Sequence, residues 1–281
     1  MNIASVFAII KYISINSRRK DMKKKAKIVS AMICVSFVAA SVVGGCFYMR
    51  HQRFNEYKSD KTPLPEGFTY TAHTGCVDTP ENSLESIEKG AENGALIIEF
   101  DLNFSSDNIP VLSHDDPKGG EVTLEEAFKK LSEYETLRAN VDIKSTANLA
   151  EVQRLAEEYG LLDRIFYTGV NLDFLDAVRR DSPKVSYYLN VDIEKSKNKD
   201  TDYIESLVRT VSESGAIGIN FSKDNATKEI VSAFHDAGLL VSIWTADSDY
   251  DIYRVLSLAP DNITTRRPDK MKNILSERVS D

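Results

Sequence analysis

The chain has 281 residues, enough for one large α/β barrel or two ordinary domains. Its formal net charge of −8 is unevenly spread: residues 1–65 carry 12 Lys and Arg against 3 Asp and Glu, and the remainder carries 23 against 40. An acidic body behind a basic leader argues against nucleic-acid binding, and it requires that an anionic substrate be met by a local cation, because the global field repels it.

Residues 1–27 form the basic leader, with Arg18, Arg19, Lys20, Lys23, Lys24, Lys25 and Lys27 ahead of an almost unbroken apolar stretch from Ile28 to Met49. A stretch of this length spans a hydrocarbon core of ~30 Å. The positive-inside rule then puts the N-terminus in the cytoplasm and the bulk of the chain outside. The expectation is a single-pass signal anchor over residues 28–49 in the cell membrane. Val43-Gly44-Gly45-Cys46 offers an alternative, a lipoprotein acylated at Cys46, and a cleaved secretory signal is a third. The other cysteines are Cys34 and Cys76, so the outer part holds one thiol and no internal disulfide. That suits a bacterial surface better than a disulfide-rich secretory setting. Residues 50–66, polar and charged with Pro63 and Pro65, read as a stalk.

From residue 67 to 281 the chain alternates strand-like and helix-like segments. Strands are expected over residues 68–73, 96–102, 139–144, 164–168, 185–189, 216–221, 240–245 and 262–265. Amphipathic helices fall between them: Leu149, Val152, Leu155 and Tyr159 repeat at helical spacing before Gly160, and Tyr203, Ile204, Leu207, Val208 and Val211 do the same. Eight such alternations are the pattern of a TIM (β/α)8 barrel. A doubly wound open sheet is the alternative, disfavoured by the strand count and by the lack of a G-x-G-x-x-G turn.

In such a barrel, active-site residues collect at the C-terminal ends of the strands. His73 ends the first strand, Glu99 and Asp101 fall at the end of the second, His114 follows in the next loop, and Asp142 and Lys144 end the third. Residues i and i+2 on a strand share a face, so Glu99 and Asp101 point the same way, as do Asp142 and Lys144. Three carboxylates converging on one mouth repel one another unless a cation sits among them, and carboxylate oxygens suit Ca²⁺ or Mg²⁺. Two histidines beside such a site fit general acid–base work.

His73-x-Gly75, Pro80-Glu81-Asn82-Ser83, Glu99-x-Asp101, His114-Asp115, Val141-Asp142-Ile143-Lys144, Ile243-Trp244-Thr245 and Ile263-Thr264-Thr265-Arg266-Arg267-Pro268, in this order, resemble the motifs of the glycerophosphodiester phosphodiesterase family. The resemblance implies a barrel holding one divalent cation, Ca²⁺ or Mg²⁺, on Glu99, Asp101 and Asp142. It implies His73 and His114 as the acid–base pair, and Lys144, Arg266, Arg267 and Trp244 as substrate or phosphate contacts. The reaction it implies is hydrolysis of a glycerophosphodiester, or of glycerol-phosphate units in lipids or envelope polymers, to glycerol 3-phosphate and an alcohol. The chain departs from the family pattern at Thr74, where an arginine is usual, and at Asp142, where a glutamate is usual. Arg266 or Arg267 is then expected to replace the missing charge. Two other readings stay open: a degenerate barrel that binds a phosphorylated ligand without turnover, and a cyclising phospholipase D-like lyase.

Overall fold

The computed structural model describes residues 48–280, and of Val279 and Ser280 only the backbone. Residues 28–47 of the expected anchor lie outside them. Among the described residues no helix is long and apolar enough to cross a membrane. These residues belong to two units, one ending at Glu56 and one running from Tyr57 onward. Residues 48–59 are helical, so the segment expected as a stalk, 50–66, is regular helix over its first ten residues. Just beyond, the Arg278 guanidinium donates to the Asp60 and Thr62 carbonyls at 2.7 and 2.8 Å.

The second unit is a closed barrel. Eight parallel strands run β1 (Thr69–Ala72), β2 (Ile97–Phe104), β4 (Arg138–Ile143), β5 (Ile165–Val170), β6 (Ser186–Asn190), β7 (Gly218–Ser222), β8 (Leu240–Trp244) and β9 (Asn262–Thr265). The ring closes where β1 pairs with both β9 and β2. All eight expected strands are present. A ninth, β3 (Pro110–Leu112), pairs antiparallel with the far end of β2. It corrects one expectation: Glu99 and Asp101 lie inside β2, which continues past them into this hairpin.

Helices α1 (Leu84–Glu92), α2 (Leu124–Ser132), α3 (Leu149–Glu158), α4 (Leu175–Asp181), α5 (Thr201–Ser214), α6 (Lys228–Asp236), α7 (Asp249–Leu256) and α8 (Pro268–Ser280) follow the strands around the outside. Their starts are written in the sequence. Ser83, Thr123, Asp200, Thr227 and Ser248 each accept a backbone N–H of the first turn, and Thr123 forms a full capping box with Glu126. Apolar helix residues such as Ile87, Phe128, Val152, Phe234 and Ile252 are fully buried against outward strand residues such as Ile98, Phe100, Leu102 and Val141. The fit is tightest under α1: a Cβ on Gly90 would fall 2.5 Å from Ile98 Cδ1 and 2.8 Å from Ala72 Cβ. Only glycine lets that helix approach so closely.

The strand residues of opposite parity turn inward. Low in the barrel, Ile97, Phe166 and Tyr188 pack together as a plug. Above it the inward residues are almost all polar, and that change of character opens the cavity described next.

Candidate active site

A cavity of about 580 Å³ sits at the C-terminal end of the barrel. Its lining includes His73, Glu99, Asp101, His114, Asp142, Lys144, Trp244 and Arg266, so eight of the nine expected site residues share one space. The ninth, Arg267, does not line it. Its guanidinium lies against Asp269 instead, with Nε–Oδ1 at 2.9 Å and Nη2–Oδ2 at 2.6 Å. Adjacent residues leaving a strand point to opposite sides, so one arginine of the pair faces the cavity and the other the start of α8.

Glu99, Asp101 and Asp142 each offer an oxygen, all within 4.8 Å of one another. Glu99 and Asp101 are almost fully buried. Burial pushes the Glu99 carboxyl up to about 7; His73 opposes that rise, and Asp101 and Asp142 add to it. Lys144 Nζ stands 2.9 Å from Asp101 Oδ1 and 2.5 Å from Asp142 Oδ2. Burial works against its charge, yet the two carboxylates outweigh burial and hold the ammonium above the ordinary lysine range. A buried acidic set that already draws a cation inward has the donor chemistry of a hard divalent ion site.

The set is held by residues to which sequence reasoning gave no role. Asn82 donates to Asp101 Oδ2 at 2.9 Å and accepts the Asp101 N–H on its own Oδ1 at 2.9 Å. The Thr168 hydroxyl lies 2.6 Å from Asp142 Oδ1 and 2.7 Å from Asn140 Oδ1. Thr74, where the family pattern has arginine, is buried. Its N–H donates to Glu99 Oε2 at 2.8 Å and its Oγ1 accepts the Asn82 N–H. That position therefore serves the carboxylates rather than a phosphate. The Pro80–Ser83 run was the visible sign of Asn82; nothing local marked Thr168.

The two histidines differ. His73 Nδ1 lies 3.0 Å from the Thr74 carbonyl and 3.6 Å from Glu99 Oε2. A carbonyl can only accept, so Nδ1 carries a hydrogen and Nε2 is the ring nitrogen left for proton exchange. His114 is largely exposed, and its Nδ1 lies 2.9 Å from Asp115 Oδ1. That contact holds the Asp115 carboxyl below the usual range. A carboxylate oxygen accepts, so Nδ1 donates to Asp115 and Nε2 is the ring nitrogen left for proton exchange. Arg266 reaches the rim between Glu81 at 3.3 Å and Asp247 at 3.7 Å.

Fold and site define a (β/α)8 barrel with an acidic, histidine-flanked mouth. The glycerophosphoryl diester phosphodiesterase family matches residues 73–118 and 116–270. The chain belongs to that family. Over 41 residues it is 54% identical to human Glycerophosphodiester phosphodiesterase 1, covering 15% of this chain and 12% of that protein's length. An Oleispira antarctica phosphodiesterase, solved in complex with the product sn-glycerol-3-phosphate, superposes with a TM-score of 0.62 at 19% identity, over 76% of this chain and 97% of that one. A glycerophosphodiester phosphodiesterase of Agrobacterium tumefaciens gives 0.60 at 18% identity, over 73% and 99%. At these identities the two structures establish the shared barrel.

Proposed function

We propose that the protein is a metal-dependent phosphodiesterase that hydrolyses glycerophosphodiesters, free or as glycerol-phosphate units of lipids or polymers, to glycerol 3-phosphate and an alcohol. The observation that carries this reading is the joint lining of one cavity by His73, His114 and the Glu99–Asp101–Asp142 set. Those three carboxylates would hold one Ca²⁺ or Mg²⁺. When bound, the ion supplies positive charge for the phosphoryl oxygens and lowers the pKa of a coordinated hydroxyl.

His73, its Nδ1 fixed on the Thr74 carbonyl, takes on Nε2 the proton of the attacking water, or of the adjacent glycerol hydroxyl in a first step that water then completes. His114, its Nδ1 engaged by Asp115, gives a proton from Nε2 to the departing alcohol oxygen. Each transfer contributes typically ~10²–10⁴-fold. Lys144 and Arg266, the two cationic side chains besides the histidines in the lining, draw the anionic diester into an otherwise acidic mouth. Trp244, partly exposed at the end of β8, offers an apolar wall for the substrate. Residues 28–49 would tether this domain to the outer face of the cell membrane.

The test is release of glycerol 3-phosphate from glycerophosphocholine and from glycerol-phosphate polymer, with Ca²⁺, with Mg²⁺ and with chelator. Release that needs metal and falls by about 10²-fold or more in His73→Ala is expected. Metal-binding protein that turns over no diester would favour the binding-barrel reading. A cyclic phosphate product would favour the lyase.

A further inference from the structure

Among the described residues one buried side-chain polar atom has no hydrogen-bond partner: Oδ1 of Asn220, a residue of β7 in the cavity lining that is only 4% exposed. Its orientation is enforced from β5. Gly169 has φ +73° at the point where the β5–β6 register shifts, and its freed N–H donates to Asn190 Oδ1 at 3.0 Å. A Cβ at Gly169 would meet the Ile143 carbonyl oxygen at 2.4 Å, so the site admits only glycine. Asn190 must therefore turn its oxygen toward Gly169. Asn220 Nδ2 donates to that same oxygen at 3.0 Å, which leaves Asn220 Oδ1 as an unmet acceptor. The Asn190 Nδ2 group, on the other side of its amide, is left as a donor. A buried acceptor without a partner is costly, and native structures seldom leave one without a reason.

The ring order puts β6 and β7 across the barrel from β1 and β2. Asn190 and Asn220 thus stand opposite His73 and the acidic set. Between Thr168 and Thr264 every lining side chain is uncharged. An acceptor beside a donor on a neutral wall matches a hydroxyl, which does both; an ammonium only donates and would face Asn190 Nδ2 unfavourably.

We infer that Asn190 and Asn220 form a hydroxyl subsite that receives a neutral hydroxyl on one arm of the diester while its phosphate lies at the acidic side. The inference rests on the phosphodiesterase reading above. Asn220→Leu roughly keeps the side chain's shape and removes the acceptor together with the Nδ2 donor to Asn190, whose oxygen keeps the Gly169 N–H. It is compared with wild type on glycerophosphoglycerol, with hydroxyls on both arms, on glycerophosphocholine, with hydroxyls on the glycerol arm alone, and on bis(p-nitrophenyl) phosphate, with none. The expected result is a fall in kcat/KM of about tenfold or more on glycerophosphoglycerol and no change on bis(p-nitrophenyl) phosphate. An unchanged glycerophosphocholine rate assigns the subsite to the alcohol arm, and a parallel fall assigns it to the glycerol arm. Equal losses on all three substrates, or none on any, overturn the inference. Should wild type cleave no diester, the activity reading fails separately. The subsite is then read by titrating both proteins with glycerophosphoglycerol, which carries hydroxyls on both arms: weaker binding to Asn220→Leu supports it, and equal binding refutes it. Asn220→Ser takes the same comparisons if the leucine variant does not fold.

Discussion

The two sides of the barrel mouth are built from different chemistry. On β2 and β4 three carboxylates converge, each accepting a hydrogen bond from Thr74, Asn82 or Thr168, and Lys144 just past β4 lies against two of them. On β6 and β7 two neutral amides face the same space, and one oxygen is left unpaired. The acidic side stores electrostatic repulsion, which a cation relieves. The amide side stores a missing hydrogen bond, which a hydroxyl relieves. The fold tolerates both because the outward face of every strand is packed under the helices, so inward residues are spared from making the core.

The widest separation between the two sides is in their response to pH. Glu99 is raised above its unfolded value of 4.5, so between that value and about 7 the folded state binds a proton the unfolded state has released. Its contribution is complete below 4.5 and is lost as pH rises through about 7, on the order of a few kcal/mol. Metal-free protein should therefore lose urea resistance between pH 5.5 and 8.5 by more than Glu99→Gln does. Saturating Ca²⁺ should restore most of the loss at the higher pH, because the cation neutralises the carboxylates that are ionised there. Identical pH slopes for wild type and Glu99→Gln would refute this account. Asn220→Leu, on the neutral side, should keep the wild-type slope.

Next comes Asn82, which touches no substrate in this reading but grips Asp101 from two directions. Loss of a residue that orients a metal ligand typically costs 10–100-fold in metal affinity. Asn82→Ala should weaken Ca²⁺ or Mg²⁺ binding by about that factor in a calorimetric titration. Asn220→Leu should leave that affinity unchanged. If both variants bind metal equally, the two sides are not separate in function.

The same contrast governs what could be read in advance. Alternating apolar runs and glycine stops marked all eight parallel strands, because each is a local pattern. The β3 strand escaped: three residues led by a proline, paired to an extension of β2, carry no periodic signal. The acidic side was legible because charges inside apolar strands are conspicuous and Glu99 and Asp101 are two residues apart. The amide side was not. Asn190 and Asn220 lie 30 residues apart and come together only when β6 and β7 pair. The orientation that makes Asn220 an acceptor depends on a register shift at Gly169, which a lone glycine in a strand only hints at. Thr74 departs from the family pattern without ceasing to serve the site, and that shift of role shows only in its partners.

The smallest effect separates two neighbouring arginines at the end of β9. Arg266 faces the cavity, so Arg266→Ala should raise KM for a diester by about tenfold with kcat little changed, the signature of lost uniform binding. Glu81 and Asp247 beside its guanidinium temper that loss, since the free enzyme already spends part of the charge on them. Arg267 lies against Asp269 in the first turn of α8, a partly exposed ion pair of the kind worth about 0.2–1 kcal/mol. Arg267→Ala should therefore leave KM unchanged and lower the melting temperature slightly. A rise in KM for Arg267→Ala equal to that of Arg266→Ala would mean that the bound substrate draws both arginines over the mouth, and the division between cavity-facing and helix-facing residues after β9 would no longer hold.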